Sequence, residues 1–325
     1  MRRNIWLRIL LALAIVVTLL AIFWNWDWFI PAVDAQASAA LGRKVTVQHL
    51  HVGLGAPITV TASGVTIANP ENFPADDPPL ATVDRLAVKV KLMDYVMHRR
   101  LSLTAVEIDH PVVNIRQLPG GANNYTLKSS ASSRSTSQAA KLGNLIINNG
   151  TASVILPAQK TDFNLAIQTR NAPSGTKVFT HGEIVVDVHG TYADAPITGQ
   201  LIGGALLSLR KDSAPYPVDF HLQNGTTRAH LAGTIKDPVN FAGAHLRLSF
   251  SGQNMANLYQ LTGVPIPATP PFTISGDLDY SGHAVRFKNL SGRVGSSDLE
   301  GAITEAPGSP RRLITANLHS RHVDL

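Results

Sequence analysis

No cysteine occurs anywhere in these 325 residues. Disulfides, thiolate catalysis and cysteine-ligated metal centres are therefore excluded. The absence names no compartment, but it is compatible with an oxidising one. Charge is scarce too, at 15% of residues against roughly 25% in an average soluble domain. Of the net charge of +6, Arg2, Arg3 and Arg8 supply half. The other basic residues are scattered, with Arg99-Arg100 and Arg311-Arg312 at expected turns. Nucleic acid is offered no basic stripe and no RNA- or DNA-binding motif.

Catalytic signatures are also missing. Twelve histidines invite a metal reading, but His49 and His51 have no third ligand at a suitable spacing, and H-E-x-x-H does not occur. Asp277 and Asp279 have the proximity of a glycosidase pair or a calcium site. No acidic cluster supports them, and the solvent side of a strand accounts for the spacing. Ser296-Ser297-Asp298 lacks the G-x-S-x-G elbow. Gly292, Gly295 and Gly301 lack the following helix of a phosphate loop. The expectation is a protein without catalytic residues, cofactor or metal, and not an enzyme.

What the sequence does hold begins with ILLALAIVVTLLAIFWNW, Ile9 to Trp26, without a charge. At 1.5 Å per residue this run spans about 27 Å, close to the hydrocarbon thickness of a bilayer. Arg2, Arg3 and Arg8 precede it, so the positive-inside rule places the N-terminus in the cytoplasm. All four tryptophans flank the run, with Trp6 before it and Trp24, Trp26 and Trp28 at its far edge. Indole rings favour the headgroup boundary, so the segment reads as a single-pass anchor in a lipid bilayer. Ala35-Gln36-Ala37 has the form of a signal-peptide cleavage site, but it lies behind bulky WNWDWFIP, a poor cleavage context. Pro31 then opens an expected helix that Gly42 ends.

After Gly42 the dominant signal is alternation with a period of two. Leu86, Val88, Val90 and Leu92 interleave with Arg85, Ala87, Lys89 and Lys91. Similar runs centre on Leu165, on Leu246, Leu248 and Phe250, and on Ala316. Some runs change phase: Val45 and Val47 give way to Leu50 and Val52, and Leu101 and Leu103 to Val106 and Ile108. A bulge restores the face after such a shift and curves the sheet. Asn69-Pro70, Asp77-Pro78-Pro79, Asn149-Gly150, Asn224-Gly225 and Asp237-Pro238 punctuate the strands, the Asn-Gly pairs suiting tight hairpins. A short helix is expected from the Asn254 cap through Met255, Leu258 and Leu261 to Gly263.

The fold class is therefore mainly β: an N-terminal transmembrane helix, then a curved, largely antiparallel sheet with one or two short helices. Residues 1–30 form the cytoplasmic tip and anchor, and 31–127 a first β region. Ser-rich 128–140 reads as a linker, and 141–325 as a second β region.

Two stretches resemble the AsmA family. The first holds LGRKVTV, SGVTIANPENFP, LATVDRLAVKVKL, LSLTAVEIDHPVVNI and GGANNY, between Leu41 and Tyr125. The second holds NMANLYQLTGVPIPATPPFTISGDL, FKNLSGRVGSSDLEGAI and NLHSRHVDL. Residues 126–245 match only in β character. The closing SRHVDL looks like the start of an element that continues in that family, which implies a short or truncated member. The resemblance implies a Gram-negative inner-membrane protein with a periplasmic body, taking part in outer-membrane biogenesis and phospholipid supply through an apolar β groove. On that reading Leu86, Val88, Val90, Leu92, Leu246, Leu248 and Phe250 are candidate groove residues, and phospholipid acyl chains are the expected partners. The alternatives are that these residues fill a closed core, or that the body is an assembly factor docking envelope proteins or further copies.

Overall fold

The computed structural model describes residues 25–91, 102–127, 141–170, 182–205, 215–237, 242–259, 266–281, 284–308 and 313–323. Residues 9–24 of the expected anchor, with Trp6 and Trp24, lie outside them, as do Leu92 and the segment 128–140. Among the described residues no helix is long and apolar enough to cross a membrane.

The chain enters the body through a 3-10 turn, Trp26–Phe29, capped by the Asn25 side chain accepting from the Asp27 N–H. Asp27 fastens this turn to the sheet: its Oδ1 accepts from the Leu50 N–H at 2.7 Å. Helix α1, Ile30–Leu41, follows with Pro31 in its first turn and stops at Gly42, whose φ is 62°. Both ends fall where the sequence places them. Ile30, Val33, Ala37 and Leu41 lie on Val45, Val47 and Val65 of the sheet.

Everything else is built on one sheet of eighteen strands. β1 (Val45–Thr46) and β2 (His49–Gly53) both pair with β3 (Ile58–Ile67) and act as one interrupted strand. β4 (Ala81–Val90) follows, then a second interrupted strand, β5 (Ser102–Asp109) with β6 (Val112–Arg116). β7 (Lys141–Asn148) and β8 (Gly150–Leu156) run parallel to β5 and β6. A parallel neighbour requires a crossover connection rather than a hairpin, and residues 117–140 are that connection.

From here the pairing is antiparallel throughout. It passes through β9 (Thr161–Arg170), β10 (Glu183–Tyr192), β11 (Ala195–Gly204), β12 (Tyr216–Asn224) and β13 (Thr227–Asp237). It continues through β14 (Ala242–Gly252), β15 (Phe272–Ser281), β16 (Ala284–Val294), β17 (Ser297–Ala306) and β18 (Leu313–His319). A short 3-10 turn, Met255–Leu258, stands where a longer helix is expected; Asn254 caps it as predicted, accepting from the Ala256 N–H at 2.9 Å. Leu261 and Gly263 lie outside the described residues.

The expected bulge is present: Lys89 faces Ala105 and Val90 faces Leu103, so Thr104 is the extra residue. The expected Asn224-Gly225 hairpin is present too, with Asn224 opposite Thr227. Asn149-Gly150 differs, because it does not reverse the chain. β7 and β8 carry on together beside β5 and β6, and Asn149 is a kink within that path, with φ at 51°. An Asn tolerates left-handed backbone whether the chain turns back or merely bends, and here the pairing with β5 and β6 decides for the bend.

That kink belongs to a crease crossing the strands. Gln48 breaks β1 from β2 and its side chain lies over Gly64, whose φ is 61°. Gly64 sits between the Ser63–Arg85 and Val65–Val83 pairs, hence opposite Asp84. The Asp84 carboxylate is 3.5 Å from His110 Nδ1, and His110 Nε2 is 3.4 Å from Asn149 Nδ2. His110 also has left-handed backbone, at φ 47°. Beside this line the Asn148 amide donates to Asp109 at 2.7 Å, and Arg85 Nε donates to the other oxygen at 2.5 Å. These bonds, Asn148 foremost, hold the Asp109 carboxyl below the usual carboxylate range.

Candidate apolar site on the open sheet

Residues directly opposite one another in a ladder point to the same face of the sheet. One row can therefore be followed from strand to strand. Val45 faces Ile67, Ile67 faces Ala81, Ala81 faces Val113, and Val113 faces Ala152. Ala152 faces Leu165, which faces Val188, then Gly199 and Leu222. Leu222 faces Ala229, then Phe250, Ile274, Gly292 and Leu299. From β1 to β17 this row meets no polar side chain.

Above the crease two more apolar rows run in step: Val52–Val60–Val88–Val106–Leu145 and Leu50–Ala62–Leu86–Ile108–Ile147. The apolar phase jumps by an odd number of residues at each strand crossing the crease, as from Ala62 to Val65 and from Val83 to Leu86. In a flat strand an odd jump would put the two sets on opposite faces. Yet Ala62, Leu86 and Val83 all pack with residues of α1 into one cluster around Val45, Val47 and Val65. The crease rotates the backbone so that one face stays apolar.

Two described elements lie over parts of that face. α1 covers the β1–β4 end. The Met255–Leu258 turn covers the other end, where Leu258 joins Phe272, Ile274 and Leu290. Over β5 to β13 no described helix lies against it; Val106, Ile108, Leu201, Phe220 and Leu231 stay half-buried, while Ala152, Ile197 and Ile235 of the same face are buried. Among the described residues the largest apolar side chain below 2% exposure is Val185. The interior of a sheet sandwich, by contrast, is close-packed between two facing sheets.

Of the residues singled out by alternation, Leu86, Val88 and Val90 sit half-buried on the face shared with Val60 and Val106. Leu248 and Phe250 are half-buried on β14, while Leu246 is buried at 4% in a cluster with Ile235 and Ala244. The row Leu165–Val188–Phe250 joins the two regions through backbone pairing. Alternation along single strands misses Leu145, Ile147, Phe220 and Leu231, which belong to the same face. Among the anchor tryptophans, Trp26 and Trp28 lie in the entry turn, with Trp28 65% exposed.

The other candidates resolve into structural roles. Asp277 and Asp279 lie on the polar face, against Arg247 at 3.3 Å and Lys288 at 3.5 Å. Asp298 accepts from Ser320 Oγ and from the N–H groups of Arg321 and His322. Those bonds, the His322 N–H foremost, lower its pKa and tie residues 320–322 to β17. His49 lies 3.4 Å from Asp27 at the entry turn. In the GGANNY stretch, Asn124 is fully buried. It donates to the Asn114 carbonyl at 2.6 Å and to Asn69 Oδ1 at 3.0 Å, and accepts from the Arg116 N–H at 2.8 Å. It holds its loop against β6 and the β3–β4 connection.

No solved structure matches this chain. Among curated proteins it is similar to the AsmA family protein YhjG of Escherichia coli (strain K12), with 26% identity over 353 aligned positions. That alignment covers 97% of this chain and 51% of the relative, so the chain spans about half the relative's length. The family model described as AsmA family matches residues 3–325, nearly the whole chain. This chain belongs to the AsmA family.

Proposed function

We propose that this protein is anchored in a bacterial inner membrane by Ile9–Trp26, carries its body in the periplasm, and holds phospholipid acyl chains on the apolar face of its open sheet in the service of outer-membrane biogenesis. The apolar row unbroken from β1 to β17 carries this reading. A face of that kind left half-exposed costs free energy in water. An acyl chain laid on it gains about 0.8 kcal/mol per methylene removed from water. Holding lipid needs no catalytic side chain, only a surface long enough for the tails and open enough to admit them. The stretch between β5 and β13, with half-buried Val106, Ile108, Leu201, Phe220 and Leu231 and no described helix over it, supports both conditions. Family membership supports an envelope- and lipid-related role.

A second reading, a scaffold that docks envelope proteins, draws on β18, whose residues Leu313–His319 are all exposed. A sheet edge of this kind can recruit a partner strand.

The test is lipid extraction and mass spectrometry of the full chain purified from membranes in mild detergent. The double substitution Val106→Asp and Leu231→Asp puts charge on the uncovered apolar stretch; Thr273→Asp puts it on the polar face. Co-purifying phospholipid should fall about tenfold or more in the first, equivalent to about 1.4 kcal/mol, and stay unchanged in the second. Equal lipid content in both folded variants would overturn the acyl-chain reading. Capture of a protein partner by lipid-free chain would then favour the scaffold.

A further inference from the structure

The polar face of the same sheet carries a second constellation, on the β12–β13 hairpin. His221 and His230 are directly opposite one another in the ladder, and Asp219 lies two residues before His221 on the same face. The two imidazoles stack with centroids 4.0 Å apart and planes within 9°. Both Nε2 atoms approach one oxygen, Asp219 Oδ1, at 3.0 Å from His221 and 2.9 Å from His230. One donor atom from each of the three residues lies within 4.8 Å of the other two.

We infer that Asp219, His221 and His230 form a zinc(II)-type metal site with one coordination position open. Two imidazole nitrogens and one carboxylate oxygen are the donor types of three-ligand zinc sites, in which a water completes the tetrahedron. With bonds of about 2.0–2.1 Å, tetrahedral donors stand roughly 3.3 Å apart. The two Nε2–Oδ1 separations therefore need to widen by only a few tenths of an ångström, and the stacked rings must turn so that their in-plane lone pairs converge on one cation. The donors are set by strand register rather than by loops, which keeps them in place without the metal. A divalent cation takes one nitrogen lone pair from each ring and one from the carboxylate.

His221 and His230 line a pocket of about 650 Å³ that also holds Asp187, His189 and Gln200. Gln200 donates to Asp187 at 2.7 Å, so the Asp187 carboxylate is oriented within the pocket beside the triad. The side chains of Asp219, His221 and His230 are 36%, 59% and 42% exposed, which leaves a metal free access. This site shares the sheet with the apolar face but none of its side chains, so the two stand or fall separately.

The test is titration of the purified, metal-stripped full chain with cobalt(II), read by its visible d–d absorption, and with zinc(II) by calorimetry. The expected result is one equivalent bound, with a spectrum of tetrahedral intensity. His221→Gln, His230→Gln and Asp219→Asn should each weaken binding by more than the roughly 10–100-fold that outer-shell changes cause. His49→Gln, at the entry turn, should change nothing. The exposed positions of the three residues make folded variants the expectation, checked by metal-free melting and far-ultraviolet dichroism. Absence of binding by the native chain would overturn the assignment. So would unchanged affinity in a folded His221→Gln/His230→Gln double variant, or loss of the site on changing His49 alone.

Discussion

The strands from β1 to β8 and those from β9 to β18 reach the same result by different means. In the second region every strand pairs antiparallel with its neighbours and most keep their alternation, so apolar residues stay on one face through simple two-residue steps; β16 is an exception, shifting phase between Phe287 and Leu290. Phe163, Leu165 and Ile167 on β9 are the plainest case. In the first region every strand path is cut by the crease through Gln48, Gly64, Asp84, His110 and Asn149, and the alternation shifts phase on crossing it. Polar contacts and left-handed backbone stabilise that line across successive strands, whereas in β9–β18 such a feature is local, as at Asn289 with φ of 51° and its bond to Asp277, or the bend falls at a glycine such as Gly190, with φ of 152°. The comparison teaches that a continuous apolar face is a property of register, not of any one strand's pattern.

The sharpest way to break the comparison is Gly190→Val. A Cβ there would stand 1.9 Å from the Asp162 carbonyl oxygen and 2.9 Å from the Phe163 Cα, both backbone atoms that cannot swing aside. The expected loss is about 3 kcal/mol, combining a forbidden backbone conformation with lost β9–β10 pairing. Urea unfolding measures it. Hydrogen exchange should show amides of β9–β11 losing protection while β3 and β4 keep theirs. Equal loss in both would mean the two regions open as one unit. Gly64→Ala is the matching change in the crease and should cost less, about 1–2 kcal/mol. The nearest atoms to its Cβ would be those of the Gln48 side chain, at 2.5–2.8 Å, and that exposed side chain can move away. Adding Gln48→Ala should recover the contact part and leave the backbone part. Full recovery would show that the left-handed conformation is not what holds the crease.

This contrast also marks how far the sequence could be read. Strand cores at Leu86–Val90, Leu165, Leu246–Phe250 and Ala316, the Pro31–Gly42 helix and the Thr104 bulge were all legible, because each is decided within a few residues. The role of Asn149-Gly150 was not, since the same dipeptide serves a hairpin or a bend and only the distant pairing of β7 with β5 separates them. The candidate lining residues were legible one strand at a time, but their union into a single row needs pairings between residues far apart in the chain, such as Val113 with Ala152. His221 and His230 were hidden by one place of register. An Asn-Gly pair centred in a two-residue loop would set His230 opposite Asp219. With Asn224 closing the loop instead, the two histidines face each other.

The smallest effect expected is one of pH, and it separates a carboxylate that joins strands from one that ties down a tail. Asp109 bridges β4, β5 and β7 through Arg85 and Asn148, while Asp298 gathers Ser320, Arg321 and His322. Both carboxyls titrate below their ordinary value in the folded chain. The unfolded chain therefore takes up its proton first as acid is added, and stability falls with it. The stabilisation is complete at neutral pH and is lost as pH drops through the lowered folded values. Protonating Asp109 loosens three strands at the crease, so native stability should decline with acid and Asp109→Asn should flatten that part of the profile. Protonating Asp298 releases only residues 320–322, so Asp298→Asn should leave the global midpoint in place and speed exchange at the Arg321 and His322 amides alone. If Asp298→Asn instead flattens the global profile and Asp109→Asn does not, the crease is not the place where this sheet depends on charge. Its phase shift would then be held by left-handed backbone without help from the carboxylate.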